Sequence, residues 1–103
     1  MSKYGLHSKL KAIDGGRDKL IQILLEASKL VSAAKGCNLY LISKDRTDNN
    51  AVWVTEVWDS KEDHDASLNL ESVKKSITSA MPLISGKPER GQELEIVGGK
   101  EIN

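Results

Sequence analysis

The sequence predicts a single α+β domain, and three observations predict it. Short stretches near both ends alternate polar and apolar residues with a period of two. One long stretch repeats apolar residues at three- and four-residue steps, and the 103 residues leave room for one domain only. The domain is read as residues 1–103, with a core over about 4–97 and a tail over 98–103.

Residues 4–12 place Tyr4, Leu6, Leu10 and Ala12 on one parity and Gly5, His7, Lys9 and Lys11 on the other, as a half-buried strand requires. Ser8 is the polar exception on the apolar parity. Asp14-Gly15-Gly16 then supplies turn chemistry. Over residues 17–35, Leu20, Ile23, Leu24, Ala27, Leu30, Val31 and Ala34 form an apolar stripe opposite Lys19, Gln22, Glu26 and Lys29, which predicts a helix. Asp14 is placed to cap its start, and Gly36 to end it in a left-handed conformation.

Residues 37–44 read as a second strand, residues 45–50 as a polar turn, and the β-branched, aromatic run 51–58 as a third strand closing a hairpin. Alternation puts Val52, Val54, Glu56 and Trp58 on one side of that strand and Trp53, Thr55 and Val57 on the other. Ser60, followed by acids at 62 and 63, marks a helix start. The helical pattern continues in two pieces to about Ile84, its apolar side supplied by Ala66, Leu68, Leu70, Val73, Ile77, Ala80 and Met81. Pro82 and then Ser85-Gly86-Lys87-Pro88 end it. Residues 93–97 alternate briefly and form a last strand.

The order βαββαβ is the split βαβ, or ferredoxin-like, arrangement. Its helices cover one face of the sheet. The other face carries apolar side chains such as Trp58 or Trp53, and a second copy, sheet against sheet, is the economical cover. A homodimer is therefore expected. A chain of this length buries a little over ~60% of its unfolded surface, and pairing strengthens such a modest core.

Bulk properties exclude several roles. Fifteen basic and fifteen acidic side chains balance without a basic run, so nucleic acid is not an expected partner. The apolar runs 20–25 and 39–42 fall far short of the ~20 residues that span a bilayer. No long apolar stretch follows the first four residues, so no secretory signal is expected. The single cysteine, Cys37, reads as a small buried side chain in a reducing compartment, and the expected location is cytoplasmic. His7, His64 and Cys37 lack metal-ligand spacing, and neither Gly15-Gly16 nor Gly98-Gly99 has phosphate-cradling context; no metal or cofactor is expected.

Two stretches, Lys35-Gly36-Cys37-Asn38-Leu39-Tyr40 and Glu56-Val57-Trp58-Asp59-Ser60-Lys61-Glu62, resemble the antibiotic biosynthesis monooxygenase family, whose members show a "G-C-x-x-Y" strand opening and an "E-x-W-x-S" strand-to-helix junction. With the order of elements and the Pro82-Leu83-Ile84 helix end, the resemblance covers roughly residues 4–97. It implies a dimeric α/β barrel with a cavity in each subunit. It also implies monooxygenation of a small phenolic or quinol-type aromatic by dioxygen, without metal or flavin. In that chemistry the deprotonated substrate reduces oxygen itself, and the protein excludes water and holds the acidic oxygen.

Carried over by position, Trp58 matches the family tryptophan, which either lines the cavity or packs the core. Glu56 shares its face and is a candidate base with a pKa raised by burial, or a paired strand-end acid. Ser8 falls where haem-degrading relatives carry asparagine. Trp58, Glu56 and Ser8 are the catalytic candidates, expected to converge on one void of ~300 Å3. Asn38, Tyr40 and His7 are the substrate-binding candidates, the first two as hydrogen-bond donors to a substrate oxygen and His7 for its intrinsic pKa.

The departures bear on chemistry. Family patterns "A-H-L" and "P-H-F" align with Ser67 and Ser72, and the iron-ligating histidine of haem-degrading relatives falls on about Ile77, so haem degradation is not expected. Asp63 and Asp65 put His64 on a solvated surface. A non-catalytic dimeric ligand-binding or interaction domain stays open as the alternative, as does an isomerase-like proton transfer, because fold does not decide function.

Overall fold

The structure, a computed structural model, describes residues 2–86 and 91–102. Its elements are β1 (Lys3–Lys11), α1 (Arg17–Ser32), β2 (Cys37–Lys44), β3 (Ala51–Trp58), α2 (Lys61–Ser67), α3 (Glu71–Ala80), a 3-10 turn (Met81–Leu83) and β4 (Gln92–Ile96). The sheet runs in the order β2-β3-β1-β4 with every neighbouring pair antiparallel, the ferredoxin-like arrangement the sequence predicts. Lys87 and Pro88, expected to help close the helical region, lie outside the described residues, as does Asn103 of the expected tail.

Register follows the parity of the residues. Tyr4, Leu6 and Ser8 sit opposite Trp58, Glu56 and Val54, while Tyr40 and Ile42 of β2 sit opposite Glu56 and Val54. These side chains share the face that α1 covers, since Leu20 and Leu24 pack against Leu10, Tyr40, Ile42, Val52 and Val54. A one-residue slip would send the whole set to the other face, which is why burial holds the register. A second cluster closes the core at the other end, with Trp58 fully buried between Val31 and Val73. Burying such side chains contributes roughly 1.5–3 kcal/mol each.

Among the described residues the opposite face bears no helix. Gly5, His7 and Lys9, then Trp53, Thr55 and Val57, with Leu39 and Leu41 and with Leu94 and Ile96, point away from the core by alternation. Leu41 and Leu94 are 49% and 44% exposed there. The tryptophans are thus divided as their parity dictates, and the open face holds Trp53, not Trp58.

Details differ from the sequence reading, each for a local reason. Asp14 does not cap α1. Gly16 holds the N-cap position, and the Asp14 carboxylate accepts from Asn50 Nδ2 at 2.8 Å instead. The helix ends at Ser32, short of Gly36, which keeps its left-handed φ of 83° in the turn into β2. Of the apolar positions after Ser60, Val73 and Ala80 are buried, whereas Leu68, Leu70, Ile77 and Met81 stay 42–46% exposed. Leu30 of α1 is likewise exposed. Among the described residues no helix is long and apolar enough to cross a membrane.

Candidate active site

Sheet and helices do not close completely on each other. A cavity of about 250 Å3 remains between β1, β2 and β3 on one side and the three helices on the other. Its walls are largely apolar, with Leu24, Ala27, Val31 and Val54 among them, and its polar groups are Ser8, Tyr40, Glu56, His64, Ser67 and Ser76. Leu68, Ile77 and Met81 line it while remaining partly exposed, so they form an apolar rim.

Glu56 lies in the third strand, directly between Leu6 and Tyr40 of its neighbours, and is 8% exposed. Its Oε1 accepts a hydrogen bond from the Trp58 indole N–H at 3.0 Å, within the buried interior. Two residues apart on a strand, the side chains share a face, which brings indole and carboxylate together. Burial pushes the Glu56 carboxyl above its ordinary value, opposed by the Trp58 hydrogen bond and by the nearby His64 imidazole. Burial, and then the Glu56 charge, also push the Tyr40 phenol upward, so that hydroxyl stays protonated and able to donate.

α2 delivers the histidine. Ser60 Oγ accepts from the Asp63 amide at 3.1 Å, and this cap starts the helix so that His64 and Ser67, three residues apart, face inward. His64 Nε2 stands 3.9 Å from Glu56 Oε1, and its Nδ1 stands 3.0 Å from Asp65 Oδ1. The ring meets Trp58 edge-on at 5.7 Å and Tyr4 at 5.5 Å between centroids. Ser67 Oγ donates to the His64 carbonyl at 2.6 Å, so its hydroxyl proton is already committed. Among the described residues no three His, Cys, Asp or Glu side chains gather to hold a metal ion.

The structure brings Glu56, Ser8 and Tyr40 to the cavity. Trp58 stands behind Glu56 and is not among the lining residues; it meets the site through its N–H. Asn38 lies outside, at a bulge in β2, where its Nδ2 donates to the Gly36 carbonyl and to Asp59 Oδ1. His7 lies on the helix-free face, 3.0 Å from Thr55 Oγ1 and stacked on Trp53 at 4.7 Å. His64 is the correction: its two aspartate neighbours suggest a solvated surface, yet the side chain is 11% exposed. The signal that finds it is the phase of the capped helix, which sets His64, Ser67 and Leu68 on one face.

Comparison with known proteins agrees with this architecture. The family model "Antibiotic biosynthesis monooxygenase" matches residues 4–78. No curated protein matches the chain. A solved structure from Chloroflexus aurantiacus J-10-fl, provisionally described as an antibiotic biosynthesis monooxygenase, is 44% identical, with 98% of this chain and 99% of that chain covered and a TM-score of 0.87. A structure from Caulobacter crescentus CB15 with the same provisional description is 18% identical over 94% of this chain and 92% of that one, TM-score 0.86. A protein of unknown function from Bacteroides thetaiotaomicron VPI-5482, described as a possible oxidoreductase, is 18% identical over 92% and 98%, TM-score 0.81. The last two speak for the fold alone. The chain belongs to the antibiotic biosynthesis monooxygenase family. Family and cavity together give it a monooxygenase-like or small-molecule-binding role.

Proposed function

We propose that the protein is a cofactor-independent monooxygenase of a small phenolic or quinol-type aromatic compound. The observation that carries this reading is Glu56, a buried carboxylate with a raised pKa, on the wall of an apolar cavity in a chain of this family. A cavity of about 250 Å3 suits a compound of one or two rings, being slightly below the ~300 Å3 where ligand pockets usually begin. Glu56 takes the phenolic proton, for which a pKa nearer neutrality is an advantage. The Tyr40 and Ser8 hydroxyls are within the same cavity to donate to the phenolate oxygen. The electron-rich anion then gives electrons to dioxygen. For a hydroquinone the balance closes with one oxygen atom entering the ring and the other leaving as water: hydroquinone plus dioxygen gives hydroxyquinone plus water, all four electrons coming from the substrate.

Ser67 and Ser72, standing where the family pattern has histidines, favour a second reading, ligand binding without turnover. Oxygen consumption with a panel of hydroquinones separates the two. Glu56→Gln is expected to lower kcat by ~100-fold or more, the usual scale of a lost general base. Equal, background-level consumption by wild type and variant across the panel overturns the monooxygenase reading and leaves ligand binding, which calorimetry with the same compounds measures.

The working unit in this proposal is a homodimer whose helix-free sheet faces meet, shielding Leu41 and Leu94 and backing the sheet that forms one wall of each cavity. One half-buried cysteine, its thiol pushed up by burial, suits a reducing compartment, and we place the protein in the cytoplasm.

A further inference from the structure

We propose that Glu56, His64 and Asp65 form a proton relay that carries the proton taken from a bound phenol out through α2 to solvent, with His64 as its moving part. The proposal rests on Glu56 being the base of the reading above. It answers a geometric difficulty. Glu56 is enclosed, and the mouth between Leu68, Ile77 and Met81 is the passage a ligand itself fills, so a proton delivered to Glu56 has no aqueous exit beside the ligand.

The three groups lie in line from the cavity to the surface. Asp65 is 54% exposed and holds two partners, His64 Nδ1 at 3.0 Å and Lys61 Nζ at 3.3 Å. Those contacts, the His64 hydrogen bond first, hold the Asp65 carboxyl below its usual range, so it is an anion near neutral pH and can only accept. Nδ1 must then carry the hydrogen of the neutral ring. Nε2 is left with a bare lone pair, on the side of Glu56 Oε1 at 3.9 Å. That gap is about 1 Å beyond a hydrogen bond, and catalytic contacts of this length tighten once a ligand is bound.

The other groups facing the ring do not compete for the proton. Tyr4 of β1 has its phenol pushed up to about 12, chiefly by burial, and donates to Glu93 Oε2 at 3.0 Å. Trp58 of β3 offers only a ring edge and a committed N–H. Lys61 is engaged with Asp65.

The protons balance. A phenol O–H bond breaks and Glu56 gains the proton. Glu56 passes it to Nε2, making an imidazolium between two carboxylates. The Nδ1 proton then leaves to Asp65 or to water beside it, and the ring is left with its hydrogen on Nε2. It resets by swinging out so that Nε2 gives that proton to water while Nδ1 takes one from water, an exchange with no net change, and swinging back with Nε2 bare. One proton in all has passed from the phenol to solvent. No electrons move in these steps. His64 is a catalytic residue in this scheme because it lines the cavity. Asp65 is a positioning residue, which sets the tautomer.

Two measurements test the relay. In the ligand-free protein, long-range proton–nitrogen spectra of labelled histidine are expected to show His64 with hydrogen on Nδ1 and Nε2 bare. Asp65→Ala should shift the ring toward the Nε2–H form, and Asp65→Glu should restore the original tautomer. An Nε2–H tautomer in wild type, or a tautomer indifferent to Asp65→Ala, overturns the proposal. Asp65 is exposed, so its variants fold even if substitutions at buried His64 do not.

The second measurement is stopped-flow mixing with 4-cyanophenol, whose phenolate absorbs apart from the phenol, in weak buffer with a pH indicator. In wild type, phenolate and solvent proton are expected to appear together. In His64→Gln the proton should lag tenfold or more, and added imidazole should shorten the lag. Release of the solvent proton together with phenolate, without any lag, in His64→Gln overturns the relay and leaves Glu56 as the base. Absence of phenolate in wild type overturns the base assignment itself, and the relay with it.

Discussion

Trp58 matters to the site for its N–H as well as for its bulk. The indole is fully buried and its single donor goes to Glu56 Oε1. Trp58→Phe keeps a ring in the core and removes that donor. A buried acceptor stripped of its partner costs about 1–3 kcal/mol, which the urea midpoint at neutral pH should register. The same change should raise the Glu56 pKa further, because the lost hydrogen bond favours the ionised form. A carboxyl titration by NMR that moves downward would refute this account of Trp58.

Glu56 itself makes stability depend on pH, and the sign is determined by its raised folded pKa. The unfolded carboxyl releases its proton near the ordinary ~4.3, the folded one at higher pH. Whatever stability the protonated group provides is therefore complete below the unfolded value and is lost as pH rises through the folded one. Glu56→Gln does not titrate. Its urea midpoint should match wild type most nearly at acid pH and gain on it as pH rises from the unfolded value through the folded one, then level off, a comparison in which the other carboxylates cancel. A difference that stays flat with pH rules out the raised pKa.

At the scale of elements, the short second helix carries the histidine and is held by few interactions, so its start is where it is vulnerable. Ser60→Ala removes the Oγ that accepts from the Asp63 amide and should destabilise the fold by about 1 kcal/mol. Gly36→Ala strikes the same place from the other side. At φ 83° a side chain is strained by roughly 1–2 kcal/mol, and a Cβ there would fall on the Asp63 carboxylate. Thermal denaturation of both variants checks the order, with Gly36→Ala the greater loss.

These elements also explain what the sequence made legible. Period-two alternation set the faces of β1 and β3 correctly, down to the separation of the two tryptophans, because parity on a strand leaves no freedom. Glu56 and Ser8 reached the cavity for that reason, and Tyr40 shares their face because it pairs with Glu56 across β2 and β3. A helix has no such rigid parity, and the charged neighbours of His64 outweighed its phase. Only the cap at Ser60, read together with a register of three to Ser67, turns that ring inward. Asn38 escaped because a bulge at the head of β2 breaks the alternation there. The apolar residues at 68, 70, 77 and 81 fit a helix pattern but border a mouth, and a pattern does not distinguish a core from a rim.

For the whole molecule, the decisive surface is the sheet face without helices. Leu39, Leu41, Leu94 and Ile96 spread over it around Trp53, which His7 and Lys9 flank by a 4.7 Å stack and a 5.6 Å cation–π contact. Scattered leucines on a surface mean little, but a contiguous apolar sheet face is the kind that another subunit covers. A stable twofold contact buries ~1,200–2,000 Å2, and a face of four strands is large enough to supply it. Sedimentation equilibrium at micromolar concentration should therefore give twice the 11.3 kDa of one chain. Leu41→Glu places a charge at a position 49% exposed in the single subunit, so each subunit should keep its fold while the pair dissociates. Because the shared face lies behind β1 and β3, dissociation should also loosen the strand that carries Glu56, visible as faster amide exchange at Thr55 and Val57 in the variant. Wild type that sediments as a single chain at these concentrations removes the homodimer, and with it the support proposed behind the strand that carries Glu56.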